Sequence, residues 1–151
     1  MAFLPMVDRT SFSRSSTYAS NDYIRLTFNK TKKESQSDRI TLSIGGSIVK
    51  NLGWFPKDKI VIKWDEETRE GIIRRAGPDE SHNAINLSKM GKTEMLQTSF
   101  MWVHGHPKPN KSVLLEGIEI KDHEIFFDFP QSCFTYLIKE RAELLKQNNE
   151  I

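Results

Sequence analysis

Two histidines one residue apart, His104 and His106 in the loop HGHPKPNK, are the nearest thing to a metal signal in the chain. In an extended loop they would share a face, with His82, His123 or Cys133 as further ligands. The spacing matches no closed zinc pattern, and a single cysteine supplies no thiolate pair. The expectation is a solvent loop braced by Pro107 and Pro109, with no metal and no other cofactor. Carboxylates crowd residues 65–70, but within one hairpin turn, whereas glycosidase or nuclease chemistry needs acids converging from separate elements. Ser99 and Ser132 sit in no nucleophile-elbow or triad context. Gly45-Gly46 offers N–H groups to a phosphate, yet it is not a P-loop and lacks the third glycine of a dinucleotide loop, so a tight bend is the plainer reading. No catalytic set emerges, and the sequence reads as non-enzymatic.

Basic residues carry the remaining signal. Lys30, Lys32 and Lys33 cluster in KTKKESQSD, and Arg25, Arg39 and Lys50 stand nearby in sequence. Aromatics interleave with bases at Tyr23 and Arg25, at Trp54, Phe55 and Lys57, and at Phe100, Trp102 and Lys108. Exposed on a sheet, such rings stack single-stranded bases; otherwise they are core.

The chain that positions these groups has 151 residues, which suits one domain with flexible ends. The hydrophobic fraction, 37%, is low because both termini are polar. A net charge of +2 is too mild to demand a nucleic-acid partner and leaves room for a local basic face. One cysteine excludes an internal disulfide and points to a reducing, cytoplasmic setting. No apolar run is long enough to span a membrane, and the apolar start MAFLPMV is cut short by Asp8 and Arg9 before a signal-peptide core forms.

Residues 1–21 show neither helical nor strand period and read as a flexible arm, able to order on a partner through Arg9, Arg14, Phe3, Leu4 or Phe12. In residues 23–29, Ile24, Leu26 and Phe28 alternate with Tyr23, Arg25, Thr27 and Asn29, a half-buried strand. Ile40, Leu42 and Ile44 mark the next. Ser47 is the expected N-cap of a short helix through Leu52, and Gly53 its left-handed C-cap. Strands follow at 59–64 and 71–75, then 84–88 and 94–103. Residues 113–120 and 124–129 form the clearest hairpin, turning at Lys121-Asp122-His123. Its echo of the hairpin at 59–75 suits two half-barrels. Residues 131–147 read as a helix capped by Ser132, packing Phe134, Leu137, Ile138, Arg141 and Leu145 onto the sheet or pairing with another subunit.

Residues 40–62 resemble the SpoVT/AbrB-like transcription-regulator domain, a swapped-hairpin relative of the cradle-loop barrels. LGWFPKDKIVI (52–62) is similar to the family's Leu-Gly-apolar-x-Pro-Gly-Asp connector, and Ile40, Leu42, Ile44, Ile48 and Leu52 fall on its apolar positions. Gly45 replaces the proline that usually follows the first strand, and Arg39 lies about two residues earlier than the family arginine. The resemblance implies a dimer that binds double-stranded DNA, with Arg39 and Lys50 as the carried-over contacts; Arg25, Lys30, Lys32 and Lys33 are basic neighbours that the motif does not place.

The expectation is a mainly β chain: a small β-barrel or bent antiparallel sheet of AbrB-like, cradle-loop type over residues 22–130, with one short internal helix and a C-terminal helix and tail over 131–151. Its expected function is a non-enzymatic DNA-binding regulator contacting duplex phosphates through Arg25, Lys30, Lys32, Lys33, Arg39 and Lys50. The alternative is a protein-binding or self-assembling accessory module of phage or bacterial type. The expected partners are duplex DNA, a second copy of the chain or another protein, and no membrane.

Overall fold

The computed structural model describes residues 22–32 and 37–149. The expected arm at 1–21, and Lys33, lie outside the described residues. The first half runs β1 (Ile24–Asn29), β2 (Arg39–Ile44), α1 (Gly46–Leu52), β3 (Lys59–Trp64) and β4 (Glu70–Arg75), followed by a 3-10 segment (Pro78–Asn83). The second half runs β5 (Ile85–Asn86), β6 (Ser88–Lys89), β7 (Leu96–Met101), β8 (Ser112–Leu114), β9 (Glu116–Lys121) and β10 (Glu124–Asp128). A 3-10 turn (Gln131–Phe134) then leads into α2 (Thr135–Asn149).

The architecture is mainly β, as two five-stranded antiparallel sheets. The first has the order β6-β7-β2-β1-β8, the second β9-β10-β4-β3-β5. They form no closed barrel, so the barrel expectation gives way to bent, layered sheets. Period-two alternation builds both layers, because successive strand side chains point to opposite faces. In the first sheet Ile24, Leu26, Ile40, Leu42 and Ile44 go inward. In the second, Ile60, Ile73, Ile125 and Phe127 do so. Each fully buried side chain of this size contributes about 1.5–3 kcal/mol.

The chain crosses between layers three times: through α1 from β2 to β3, and then at two later points, each of which corrects a strand expectation. The single strand foreseen at 84–88 is split: β5 pairs with β3 in the second sheet, and β6 with β7 in the first. Between them Leu87 is 1% exposed. The strand foreseen at 113–120 is likewise split, into β8 beside β1 and β9 beside β10, at buried Leu115. In both places an apolar residue turns into the core and bends the strand around it, which alternation alone does not reveal. The hairpin echo also resolves differently: β3-β4 and β9-β10 are neighbours in one sheet, joined by β10 and β4.

The connector from α1 to β3 behaves as its residues dictate. Gly53 is left-handed at φ 69°, and its N–H reaches the Val49 and Lys50 carbonyls. The Asp58 carboxylate accepts the Phe55 N–H at 2.9 Å. The expected cap is corrected: Gly45 holds the N-cap position without a side-chain bond, while the Ser47 hydroxyl donates to Asp22. Asp122 and His123, at φ 53° and 63°, supply the two positive φ values of the tight turn between β9 and β10. Ser132 makes no cap either; the chain enters α2 through the 3-10 turn, whose N-cap position is Pro130. Phe134 and Leu137 pack on the core, but every side chain from 138 to 147 is exposed. The expected packing of Ile138, Arg141 and Leu145 onto the sheet is therefore absent. No described helix is long and apolar enough to cross a membrane.

Candidate functional site

Strand pairing decides which side chains share a face. On the side of the first sheet turned away from the second, Arg25 lies opposite Ser43, Thr27 opposite Thr41, and Asn29 opposite Arg39; Ser43 itself is buried. On β7, Gln97, Ser99 and Met101 continue the same rows. Ser112 and Leu114 on β8, and Ser88 on β6, extend them to the two edges. None of these paired outer positions carries a carboxylate. Asp22 and Asp38 flank the face in sequence, and both are already engaged, by the Ser47 hydroxyl and by the Thr31 N–H.

Arg25 and Arg39 give this face its charge. Arg25 is exposed, its guanidinium 4.9 Å from the centre of the Tyr23 ring. Arg39 lies across the neighbouring strand, donating from Nε to the Ser99 hydroxyl at 3.0 Å and from Nη2 to the Ser99 carbonyl at 2.9 Å. Both partners of Arg39 are neutral, so its positive charge is oriented without being cancelled. Four strand residues and one interstrand step separate the two arginine Cα atoms by roughly 14 Å. That spacing lets them take separate phosphates.

Lys30 and Lys32 follow β1 and are exposed at the Asn29–Arg39 end. Lys111, which the sequence reading missed, stands exposed at this end too, because its carbonyl accepts the Phe28 N–H at 2.8 Å. Its signal in the sequence was only a lysine before a strand. Lys50 is not part of this group: it sits on α1 and pairs with Glu94 at 2.8 Å. Of the rings interleaved with bases, Trp54 is buried in the core, Phe100 and Trp102 pack against it, Tyr23 lies beside Arg25, and Phe55 is 66% exposed after α1.

The histidine loop is built as a latch. Tyr136 of α2 accepts the Gly105 N–H at 3.0 Å and donates to the His106 carbonyl at 2.7 Å. Burial raises the Tyr136 phenol above its ordinary pKa, which keeps the proton it donates. His104 meets Glu140 at 3.0 Å, and His106 packs against Trp64. The Lys108 ammonium lies 4.8 Å from the Phe28 ring centre, 5.2 Å from Trp102 and 5.4 Å from Tyr136. The two histidines thus serve different neighbours, and among the described residues no group of three His, Cys, Asp or Glu side chains is placed to hold a metal. Cys133 is fully buried, and burial first, then the nearby Glu116 charge, pushes its thiol up to about 11.

The acidic run at 65–70 serves its own turn: one Asp65 oxygen accepts the N–H groups of Glu67 and Thr68 at 2.8 and 3.1 Å. Between the two sheets lies a partly open cavity of about 210 Å³. No family model, curated protein or solved structure matches the chain.

Proposed function

We propose that this chain is a non-enzymatic protein that binds double-stranded DNA through the outer face of the first sheet. The observation that carries the reading is the carboxylate-free array of Arg25, Arg39 and their hydroxyl and amide neighbours, with Lys30, Lys32 and Lys111 at one end. Phosphate oxygens are acceptors only, and this face offers guanidinium and hydroxyl donors with no acid to repel the backbone. No aromatic side chain stands among its paired outer positions, and Tyr23 at its margin lies under Arg25, which favours duplex phosphates over a run of stacked single-stranded bases. Membership of the AbrB-like regulators would add dimerisation and a transcriptional role.

Duplex binding measured across salt tests the reading. With these groups neutralising a handful of phosphates, log affinity falls with log salt, and each lost contact reduces that slope by about 1. Arg25→Ala with Arg39→Ala is expected to flatten the slope by about 2. No binding at low salt, or a slope unmoved by both changes, would reject it.

A second reading is a self-assembling or protein-binding module, favoured by α2, where Ile138, Leu144 and Leu145 are 52%, 61% and 59% exposed. Solution mass across concentration separates the two: a strict monomer that captures no protein removes the second reading.

A further inference from the structure

We infer that the cavity between the two sheets is a binding site for a small, uncharged, mainly apolar molecule with one hydrogen-bonding end. This goes beyond the DNA-binding reading and does not depend on it.

The cavity holds about 210 Å³. An apolar cavity of about 150 Å³ is already enough to take a benzene ring. Its floor comes from both layers, with Leu26, Ile40 and Leu42 of the first sheet facing Ile62, Ile73 and Phe127 of the second. Trp64, Phe100, Trp102 and Phe129 add ring surface. Not one Asp, Glu, Lys or Arg lines it, so an ionised ligand would lose its hydration with no countercharge to replace it. The polar side chains in the wall are Asn83 and His106, which offer donor and acceptor positions for a single hydroxyl or carbonyl.

Two further features argue for a ligand site over a packing defect. The wall residues Ile62, Ile85 and Phe100 remain only partly buried, although each lies against the core. Val103, which lines the cavity as well, is 49% exposed. The wall segment carrying His106 and Pro107 is also held rigidly, because Tyr136 bonds the backbone on both sides of residue 105–106. A wall fixed in this way preserves an open volume that a loose loop would collapse into, and such preorganisation lowers the cost of binding.

The test uses the full chain and N-phenyl-1-naphthylamine, an uncharged probe that fluoresces in apolar surroundings. Saturable one-to-one binding is expected, with 1-octanol displacing the probe and octanoate doing so at least about tenfold more weakly, as an uncompensated charge requires. Ile85→Trp, which fills the cavity, should weaken the probe by about tenfold or more, and Val103→Trp is a second filling variant at a half-exposed position that does not depend on core repacking. Ile138→Ser with Leu145→Ser should leave binding unchanged. Three results would overturn the proposal: no saturable binding, filling variants that remain folded by circular dichroism and bind like the parent, or octanoate competing as well as octanol. Binding seen only after Phe3→Ser with Leu4→Ser would also overturn it, by giving the cavity to the chain's own amino-terminal segment.

Discussion

The outer faces of the two sheets are built by the same alternation and differ in how their charges are spent. On the second sheet, Glu70, Glu116, Glu119, Glu124 and Asp128 share the surface with Lys59, Lys63, Arg74 and Lys121. In its best-formed cluster the cations are paired with an acid: Glu80 takes Arg74 at 2.7 Å and Lys63 at 2.8 Å. On the first sheet, Arg39 is held by a neutral serine and Arg25 lies over a tyrosine ring. The net charge of +2 averages these faces and conceals the difference. Charge matters for a polyanion by its distribution over a surface more than by its sum.

The sharpest way to break this contrast is to reverse charges on one face at a time. Arg25→Glu with Arg39→Glu should lower duplex affinity at moderate salt by a factor of about 100 or more, since each site loses a phosphate contact and gains a repulsion. Lys59→Glu with Lys121→Glu, on the opposite sheet, should change it less than about threefold on the same physical ground, because screening over a Debye length of about 10 Å isolates that face. Equal losses from both pairs would erase the distinction between the faces.

Stability should show the reverse asymmetry. A Cβ on Gly71 of β4 would run into the Phe127 ring, which lies on the glycine across the strand pair. Gly71→Ala is expected to cost about 1–3 kcal/mol by overpacking, read from the denaturation midpoint. Ser99→Ala on the first sheet removes only an exposed hydroxyl and should stay within about 0.5 kcal/mol. A Gly71→Ala protein as stable as its parent would show that Phe127 moves aside freely.

The smallest effect concerns acid. Hydrogen bonds from Arg74 first, then Lys63, and the Gly77 N–H hold the Glu80 carboxyl down to about 2. Its folded pKa is therefore below its unfolded one. The stability it adds is present above the ordinary carboxylate range and is lost as pH falls toward 2. Glu80→Gln should accordingly be less stable than the parent at neutral pH, with the gap narrowing through that window in acid melts. A constant gap would assign the loss to packing.

Much of the fold was legible because alternation is local. Ile24, Leu26 and Phe28, or Ile125, Phe127 and Phe129, announce their inward face within a few residues, and Gly53 announces its bend. The corners at Leu87 and Leu115 were not legible, since a leucine entering the core at a crossing reads as one more strand residue. The candidate face was half legible. Arg25 and Arg39 each lie on the outer side of an alternating strand, but that β7 pairs with β2 and delivers Ser99 to Arg39 is a pairing across 60 residues of sequence. Lys50 misled because a helical lysine looks alike whether Glu94 is beside it or not. The C-terminal helix misled for a related reason: a sequence with Ile138, Leu144 and Leu145 specifies an apolar side without saying whether anything covers it.

The order of strands in the first sheet also sets a schedule for folding. β1 can meet β2 as soon as residue 44 is made, yet its other edge stays open until residues 112–114 arrive, and β2 waits for 96–101. Because three crossings thread one chain through both layers, the first sheet cannot be finished before residue 114 or the second before residue 128. Loops of this length must close before their contacts give anything in return, which places folding in the slow range of milliseconds to seconds typical of non-local β topologies. For that interval the hydrogen-bonding edge of β1 is the surface most exposed to pairing with another chain.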